Sequence, residues 1–172
     1  MRNRIRGVPA MTPADTPQDS GDLEGLGLPP IDQVGFVVRS IEETKKRYAA
    51  LFGPFSEMDG SVQDATYRGR QADVDLSILF GHSGDLEIEF IEWRSGESPH
   101  REFIEKGREG MHHLRYRVDN ADAWIDRLAP LGYAPIWYKQ FTADTVFAYL
   151  EREGDPLLVE FLQMPEAGPG SS

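Results

Sequence analysis

Two stretches of the chain, QVGFVV at residues 33–38 and HLRYRV at residues 113–118, decide the fold. In both, apolar side chains recur at every second position, which predicts β-strands with one buried face. Each stretch is followed by a segment with helical character that ends at a glycine. Near the end of each half, Glu89-Phe90-Ile91 matches Glu160-Phe161-Leu162. The repeated order indicates two copies of one strand–helix–strand unit.

The intervening sequence predicts further helices and strands. Ser40 is a predicted N-cap, and Glu43 three residues later completes a capping box. Either Asp119 or Asn120 is predicted to cap the second helix. The remaining predicted elements are a helix over 41–52, strands around 74–80 and 86–90 with a turn over 81–85, a short helix over 98–107, a second-unit helix that runs to about Leu131 and is closed by Gly132, and strands over 147–150 and 157–162.

We therefore expect an α+β fold in which two βαββ(β) modules with curved mixed sheets enclose a shared cavity. One domain is predicted over residues 29–164, with its first module at about 31–94 and its second at about 111–164. Residues 1–28 are rich in Pro, Gly, Asp, Ser and Thr, which predicts a disordered tail, and residues 165–172 are predicted to be a flexible C-terminal tail. The sequence leaves the start open between Met1 and Met11.

Composition excludes several classes of function. The formal net charge of the 172-residue chain is -11, and there is no cysteine. The negative balance repels phosphate backbones and anionic lipid surfaces, so we expect neither a nucleic acid nor a membrane as partner. Disulfides and thiolate chemistry are excluded. No apolar run approaches the roughly 20 residues that span a bilayer, and none follows the early arginines as a secretory signal would require. We therefore expect a cytoplasmic protein.

Strand periodicity brings four polar residues to one face. The apolar positions of residues 113–118 should pack on a helix, which leaves His113 on the opposite face. The same count places Gln33, Glu89 and Glu160 on that face. These oxygen and nitrogen donors suit a divalent ion such as Mn²⁺, Co²⁺, Ni²⁺, Mg²⁺ or Zn²⁺. A one-residue shift in register would instead make Glu89 and Glu160 rim charges, and Gln33 is equally compatible with an exposed strand start.

Two segments resemble a known family. SPHREFIEKGREGMHHLRYRV at residues 98–118 and LVEFLQ at 158–163 are similar to methylmalonyl-CoA epimerases of the vicinal-oxygen-chelate (glyoxalase/bleomycin resistance/dioxygenase) superfamily. The opening strand with the following SIEETKKRYAALFG is similar to the first module of that superfamily, so the resemblance covers residues 31–163. It implies a glyoxalase-like fold, a divalent metal, a small-molecule substrate such as an acyl-CoA or keto acid, and a homodimer.

The resemblance assigns roles to the four polar residues. It implies that His113 is the metal ligand of the second module, that Glu160 is both ligand and base, and that Glu89 is a ligand and candidate base of the first module. Gln33 occupies the position where the epimerases have a histidine, and its neutral amide oxygen is a weaker ligand than imidazole for most transition metals. Residues 56–73 contain no clear counterpart of the epimerases' second catalytic glutamate.

Arg115 is a second departure, because relatives typically have a small residue there. Its guanidinium is predicted to be catalytic, either by binding a carboxylate or enolate oxygen of the substrate or by pairing with Glu89 or Glu160 in place of a metal. Arg115 with Arg117 is also compatible with a plain surface pair. Among the remaining side chains, His112 is expected to be structural, His82 and His100 to be solvated, and Tyr67, Arg70 and Trp137 to be candidate pocket residues.

Three functions follow from these patterns. The first is a metal-dependent isomerase, epimerase or lyase that acts on a carbon acid next to a carbonyl, with an enolate-type intermediate. The second is a metal-free protein of the same fold that sequesters a small molecule, suggested by the missing first histidine. The third is a ring-cleaving dioxygenase, which the glutamine at position 33 disfavours because such enzymes use a two-histidine, one-carboxylate iron site.

Overall fold

The computed structural model of the protein describes residues 26–165. The predicted tails lie almost entirely outside the described residues. Leu26 and Leu28, at the start of the described range, pack against the core beneath the third helix. The elements, in chain order, are β1 (Ile31–Val38), α1 (Ile41–Phe52), β2 (Ser56–Asp59), β3 (Val62–Tyr67), β4 (Arg70–Ser83), β5 (Leu86–Gly96), α2 (Pro99–Glu105), β6 (Gly110–Val118), α3 (Ala121–Leu128), the 3-10 turn Ala129–Leu131, β7 (Tyr133–Thr142), β8 (Thr145–Arg152) and β9 (Leu158–Gln163).

The strands form one mixed sheet that closes on itself. Its order is β5–β1–β6–β9–β8–β7–β3–β4, with β4 also pairing with β5 to complete the ring and β2 added on β4. In the first half β1 runs parallel to β5, and in the second half β6 runs parallel to β9. The halves meet where β1 pairs antiparallel with β6 and where β3 pairs antiparallel with β7. The predicted α+β fold of curved mixed sheets around a shared cavity is confirmed.

The two longer helices begin where the sequence predicts. The hydroxyl oxygen of Ser40 accepts a hydrogen bond from the backbone N–H of Glu43, so α1 has the predicted N-cap. Asn120, rather than Asp119, caps α3 through its side-chain oxygen. The second of these helices ends at Leu128, and a 3-10 turn completes the segment up to Gly132, whose φ of 85° is readily adopted only by glycine.

Helices α1 and α3 cover the outer face of the ring, and the inner face of the strands lines the cavity. Along β5, Phe90 packs under α1, whereas its neighbours Glu89 and Ile91 line the cavity. In the second half, Trp124 of α3 packs against Phe161 of β9 at a ring-centroid distance of 6.0 Å. This alternation is the strand periodicity that the sequence predicts. Among residues 26–165, no helix is both long enough and apolar enough to cross a membrane.

Three strands, β2, β3 and β7, were not predicted from the sequence. All four residues of β2 are exposed, so no buried alternation marks that strand. The sequence of β7, YAPIWYKQFT, contains a proline and buries the adjacent residues Ile136 and Trp137. A further difference concerns the predicted turn over 81–85, because β4 continues to Ser83 and β5 begins at Leu86.

Candidate metal and substrate site

The imidazole of His113 lies at the centre of a buried cluster of oxygen atoms. Its Nε2 is 3.1 Å from Glu160 Oε2 and 3.3 Å from Glu89 Oε2. The amide oxygen of Gln33 and the hydroxyl of Tyr149 each lie 3.5 Å from the same nitrogen. All five residues are buried, with Glu160 the most exposed at 7%. The structure therefore brings Gln33, Glu89, His113 and Glu160 together, and it adds Tyr149.

The strand register explains why residues so far apart in sequence meet. In the first half Gly35 of β1 lies beside Glu89 of β5, and in the second half Arg115 of β6 lies beside Glu160 of β9. Gln33 and His113 each come two residues before those positions. The two halves thus present equivalent side chains, and the antiparallel pairing of β1 with β6 brings the two sets into one site.

Gly35 makes room for the imidazole. It pairs with His113 across the β1–β6 ladder, and a Cβ atom at Gly35 would overlap the ring of His113. A glycine inside a strand marks a close approach of another group to the backbone. This signal is present in the sequence but was not used to predict the site.

A bulge in β6 allows two successive histidines to be buried. The register moves from His113 to Met111 between Gly35 and Phe36, so His112 has no direct partner on β1. His112 is 1% exposed, and its Nδ1 lies 3.1 Å from Nδ1 of His113. His112 also hydrogen-bonds to the backbone of Pro99, which must accept because proline has no N–H. Its other nitrogen is then an acceptor for the Nδ1–H of His113, which leaves Nε2 of His113 facing the carboxylates.

The charges in the cluster depend on each other. Burial by itself lowers the pKa of His113, but the close carboxylates of Glu160 and Glu89 outweigh it through their contacts and negative charge and raise that pKa to about 9. Burial raises the pKa of Glu89, and the nearby His113 acts in the opposite direction. Burial and the two carboxylates raise the pKa of the Tyr149 phenol well above its usual value, so it is a neutral hydrogen-bond donor.

The donor set fits a divalent ion. Adjacent ligands held about 2.0–2.2 Å from a metal lie roughly 2.8–3.6 Å from one another, with the shorter values in octahedral and the longer in tetrahedral sites. The distances from His113 Nε2 to Glu160, Glu89 and Gln33, which are 3.1, 3.3 and 3.5 Å, all fall in that range. The buried Oε2 of Glu89 has no hydrogen-bond partner among residues 26–165. Two carboxylates, one imidazole and one amide oxygen supply the donor types that such ions accept.

Arg115 lines the cavity but is held by partners other than those predicted. Its Nε and one terminal nitrogen donate to the carboxylate of Asp32 at 3.1 and 2.8 Å, and the latter nitrogen also lies 3.2 Å from Glu87. Its contacts are therefore with Asp32 and Glu87 instead of Glu89 or Glu160. Its side chain is only 10% exposed, which makes the plain surface pair wrong. Neither acidic partner stood out in the sequence.

The cavity enclosed by the ring has a volume of about 500 Å³. That size falls in the usual range for small-molecule sites. Its polar floor includes Glu89, Arg115 and Glu160, and its walls are mostly apolar. The apolar wall residues are Leu76, Ile78, Phe80, Ile91, Phe147 and Leu162.

The other candidate residues have mixed outcomes. Trp137 lines the cavity as predicted, whereas Tyr67 is buried beside it with its hydroxyl on Glu102, and Arg70 is exposed and pairs with Glu97. The prediction that His100 is solvated is wrong, because it is fully buried and lines the cavity. The exposed position of His82 agrees with the prediction. His100 was not predicted from the sequence because α2 turns its first residues toward the cavity. Tyr149 was not predicted because all residues from Val146 to Leu150 are buried, so no alternation of polar and apolar residues indicates which side chains face the cavity.

Comparison with known families identifies the fold. Residues 32–149, more than half of the chain, match the family model of the Glyoxalase/Bleomycin resistance protein/Dioxygenase superfamily. The chain belongs to this superfamily. The resemblance drawn from the sequence is thereby confirmed at the level of the superfamily, and the glyoxalase-like ring of strands is the fold expected of a member.

Individual relatives of this glyoxalase-superfamily chain are distant. The uncharacterized protein YqjC of Bacillus subtilis (strain 168) is 24% identical over 86 residues, which is 50% of this chain and 55% of that protein. This chain thus matches only about half the length of that relative. Among solved structures, hypothetical protein BH1468 of Bacillus halodurans C-125 superposes with a TM-score of 0.59 at 24% identity, over 82% of this chain and 98% of that one.

Structures of methylmalonyl-CoA epimerases are also similar. The enzyme of Mycobacterium tuberculosis superposes with a TM-score of 0.54 at 17% identity, over 80% of this chain and 89% of that one. A Streptomyces coelicolor epimerase variant in complex with 2-nitronate-propionyl-CoA does so with a TM-score of 0.56 at 19% identity, over 81% and 96%. At these identities the likeness shows the shared fold.

Proposed function

We propose that this protein is a metal-dependent isomerase, epimerase or lyase that acts on a carbon acid next to a carbonyl. The observation that carries the proposal is the set of two carboxylate oxygens within 3.3 Å of one buried imidazole nitrogen, on the floor of an apolar cavity. Carboxylates and an imidazole held this close in a buried site are characteristic of enzymes that transfer a proton and stabilise the anion that forms.

Four side chains would hold the ion in this proposal: Gln33, Glu89, His113 and Glu160. When bound, a divalent metal supplies positive charge that stabilises an enolate oxygen. His112 supports this arrangement, because it accepts from Nδ1–H of His113 and leaves Nε2 free to ligate.

The protein's own residues would move the proton. A carboxylate oxygen of Glu160 or Glu89 takes a proton from the carbon next to the carbonyl; the electron pair of the broken C–H bond forms a C=C bond, and the carbonyl π pair moves to the oxygen. Return of a proton to the opposite face of the same carbon gives the epimer, and loss of a leaving group with its bonding pair from the neighbouring carbon gives a lyase reaction. The apolar walls exclude water, which protects the carbanion from stray protons. Arg115, neutralised in part by Asp32 and Glu87, is placed to bind a carboxylate or carbonyl oxygen of the substrate.

A second candidate function is metal-free binding of a small molecule. It is favoured by one observation, namely that Gln33 already donates from its amide nitrogen to Glu87 at 2.6 Å. The first position of the metal set is thus a neutral side chain with a partner inside the protein. In this alternative the protonated imidazole of His113 balances the two carboxylates without an ion.

Metal content and hydrogen exchange test the two functions. We expect about one divalent ion per chain in protein purified without added metal, and transfer of solvent deuterium into short 2-oxo acids or acyl-CoA thioesters at the carbon next to the carbonyl. Glu160→Gln should lower the exchange rate by about 10²-fold or more, because it removes the base and a ligand. Glu151→Gln is the matched control, since this glutamate on the neighbouring β8 pairs with Arg68 outside the cavity. A metal-free protein with no exchange in any substrate overturns the enzyme and favours binding.

A further inference from the structure

Several buried polar atoms on the cavity wall have no hydrogen-bond partner within residues 26–165. They are Glu89 Oε2, both ring nitrogens of His100 and the indole Nε1 of Trp137. All three side chains line the same cavity. A metal ion held as proposed above satisfies Glu89, but it leaves His100 and Trp137 unexplained.

The unpaired state of these two side chains is costly. A buried donor or acceptor without a partner is destabilising because its lost hydration is not replaced, and His100 and Trp137 are only 0% and 3% exposed. The other two tryptophans show the ordinary arrangement: the indole of Trp93 donates to the backbone oxygen of Gly96 at 3.1 Å, and that of Trp124 donates to Asp119 at 3.3 Å. Trp137 therefore differs from them in having its N–H directed to a place where the described protein offers no acceptor.

The two unpaired groups are neighbours. The rings of His100 and Trp137 are 5.2 Å apart and nearly perpendicular, and both pack against Tyr149, at 5.7 and 5.1 Å. A ring nitrogen of His100 also lies within 4.8 Å of a ring nitrogen of His113. This pair, which we name the His100–Trp137 corner, is thus adjacent to the metal set while containing none of its residues.

We propose that the His100–Trp137 corner binds a second, uncharged oxygen of the substrate, a carbonyl or hydroxyl oxygen separate from the reacting carbonyl. The inference rests on the proposed function, because it concerns the ligand of the same cavity. An indole N–H can only donate, so the group it meets must accept. A neutral imidazole can donate to the same oxygen or accept from a hydroxyl, which completes the corner.

The surroundings indicate why this oxygen is uncharged. Neither ring nitrogen of His100 has a carboxylate or other partner within residues 26–165, so no negative group at the corner holds a positive charge on this imidazole. The guanidinium of Arg115 is held by Asp32 and Glu87. A carboxylate at the corner would therefore be desolvated without a counter-charge. Together with the apolar walls, this points to a short acyl compound that has a second oxygen-containing group in addition to the reacting carbonyl. The group bound at the His100–Trp137 corner is the uncharged one.

A metal held by three histidines is the competing explanation. One nitrogen each of His100, His112 and His113 lie within 4.8 Å of one another. However, His112 already accepts from His113 and donates to Pro99. That leaves His100 as the member with free nitrogens, and one imidazole does not make a metal site. A metal content of two per chain would contradict this assignment.

Three probes test the corner: 2-oxopentanoate as the reference, and 5-hydroxy-2-oxopentanoate and 2,4-dioxopentanoate, which each have one additional oxygen. Each is titrated into the full chain with Mg²⁺ present and absent. We expect at least one of the two probes with the additional oxygen to bind about tenfold more tightly than 2-oxopentanoate. The readout is the NMR resonance of the Trp137 indole N–H, which is assigned by its absence in Trp137→Phe. In the wild type this resonance should shift downfield when the probe binds. The resonances of Trp93 and Trp124 should stay in place, since their donors are already paired.

Variants separate ligand recognition from structure. Trp137→Phe and His100→Leu replace unpaired polar groups with apolar ones, so we expect an unchanged or higher melting temperature. Both should lose the tenfold preference while 2-oxopentanoate binds as before. Equal affinity for all three probes, binding by none of them, or two metal ions per chain overturns the proposal. Failure of the proposed function gives a different result: deuterium exchange or metal binding is not observed, but the preference among the probes remains.

Discussion

At the scale of single residues, the imidazole of His113 occupies the space where a Cβ atom at Gly35 would lie. The ring is held from the other side by His112 and at its tip by the two carboxylates. The position of the central nitrogen therefore depends on a residue that contributes no functional group.

Gly35→Ala should displace the imidazole and weaken metal binding by at least about tenfold, because the new methyl group and the ring cannot occupy the same space. Calorimetric titration with Zn²⁺ or Mn²⁺ measures the effect. Gly35→Ala made in a His113→Ala background serves as the control. It should lower the free energy of unfolding much less there than in the wild type, since the overlap no longer exists. An equal loss of unfolding free energy in the two backgrounds would show that Gly35 does not act by making room for His113.

Gln33→His should strengthen binding of Zn²⁺, Co²⁺ and Ni²⁺ relative to Mg²⁺. An imidazole is the better ligand for these ions, whereas Mg²⁺ prefers oxygen. Gln33→Leu is the matched variant that keeps the bulk and removes the donor, and it should weaken all of them. Titrations of the three proteins with each ion provide the comparison, and an unchanged order of affinities would remove Gln33 from the metal set.

At the scale of elements, the faces of strands were easier to predict than their partners. Period two along residues 33–38 and 113–118 places His113 and Gln33 opposite the helix-covered face, and the contacts of His113 with Gln33 and with the cavity-lining Glu89 and Glu160 agree with this. The helix α1 was predictable because Ser40 and its capping partner are local in sequence. By contrast, Arg115 meets Asp32 and Glu87 through the β5–β1–β6 order. No local pattern encodes that order, and the buried His100 depends in the same way on where α2 docks.

Ser40→Ala should lower the free energy of unfolding by about 1 kcal/mol, since it removes the side-chain acceptor at the start of α1. Urea denaturation measures this loss. Ser83→Ala, at the exposed end of β4, is the control and should change little. Metal affinity should be unaffected, because α1 packs on the face opposite the site. A loss of metal binding in Ser40→Ala would indicate that this face also supports the cluster.

At the scale of the whole molecule, stability is linked to the charge of His113. In the metal-free protein the folded-state pKa of about 9 exceeds the ordinary value of 6.5. The stabilisation by this imidazolium is therefore complete below pH 6.5 and is lost as the pH rises through about 9. We expect unfolding free energies from urea denaturation to fall across that interval in the wild type after chelation.

His113→Gln should abolish this part of the pH dependence, because residue 113 then binds no proton in either state. The difference between the two proteins, measured at matched pH, isolates the imidazole from other titrating groups. Saturating metal should also flatten the wild-type curve, since ligation requires the neutral ring. A difference that does not vary between pH 6.5 and about 9 would mean that folding does not raise the pKa of His113.

The two places where the halves join are of unequal strength. Between β1 and β6 the register includes six residue pairs, whereas between β3 and β7 it includes only Thr66 with Tyr138 and Tyr67 with Trp137. The residues proposed to hold a metal all lie on β1, β5, β6 and β9, which β4 on one side and β8 on the other separate from the β3–β7 pairing. Separating β3 from β7 would therefore break fewer ladder pairs than separating β1 from β6, the pairing that joins Gln33 and His113.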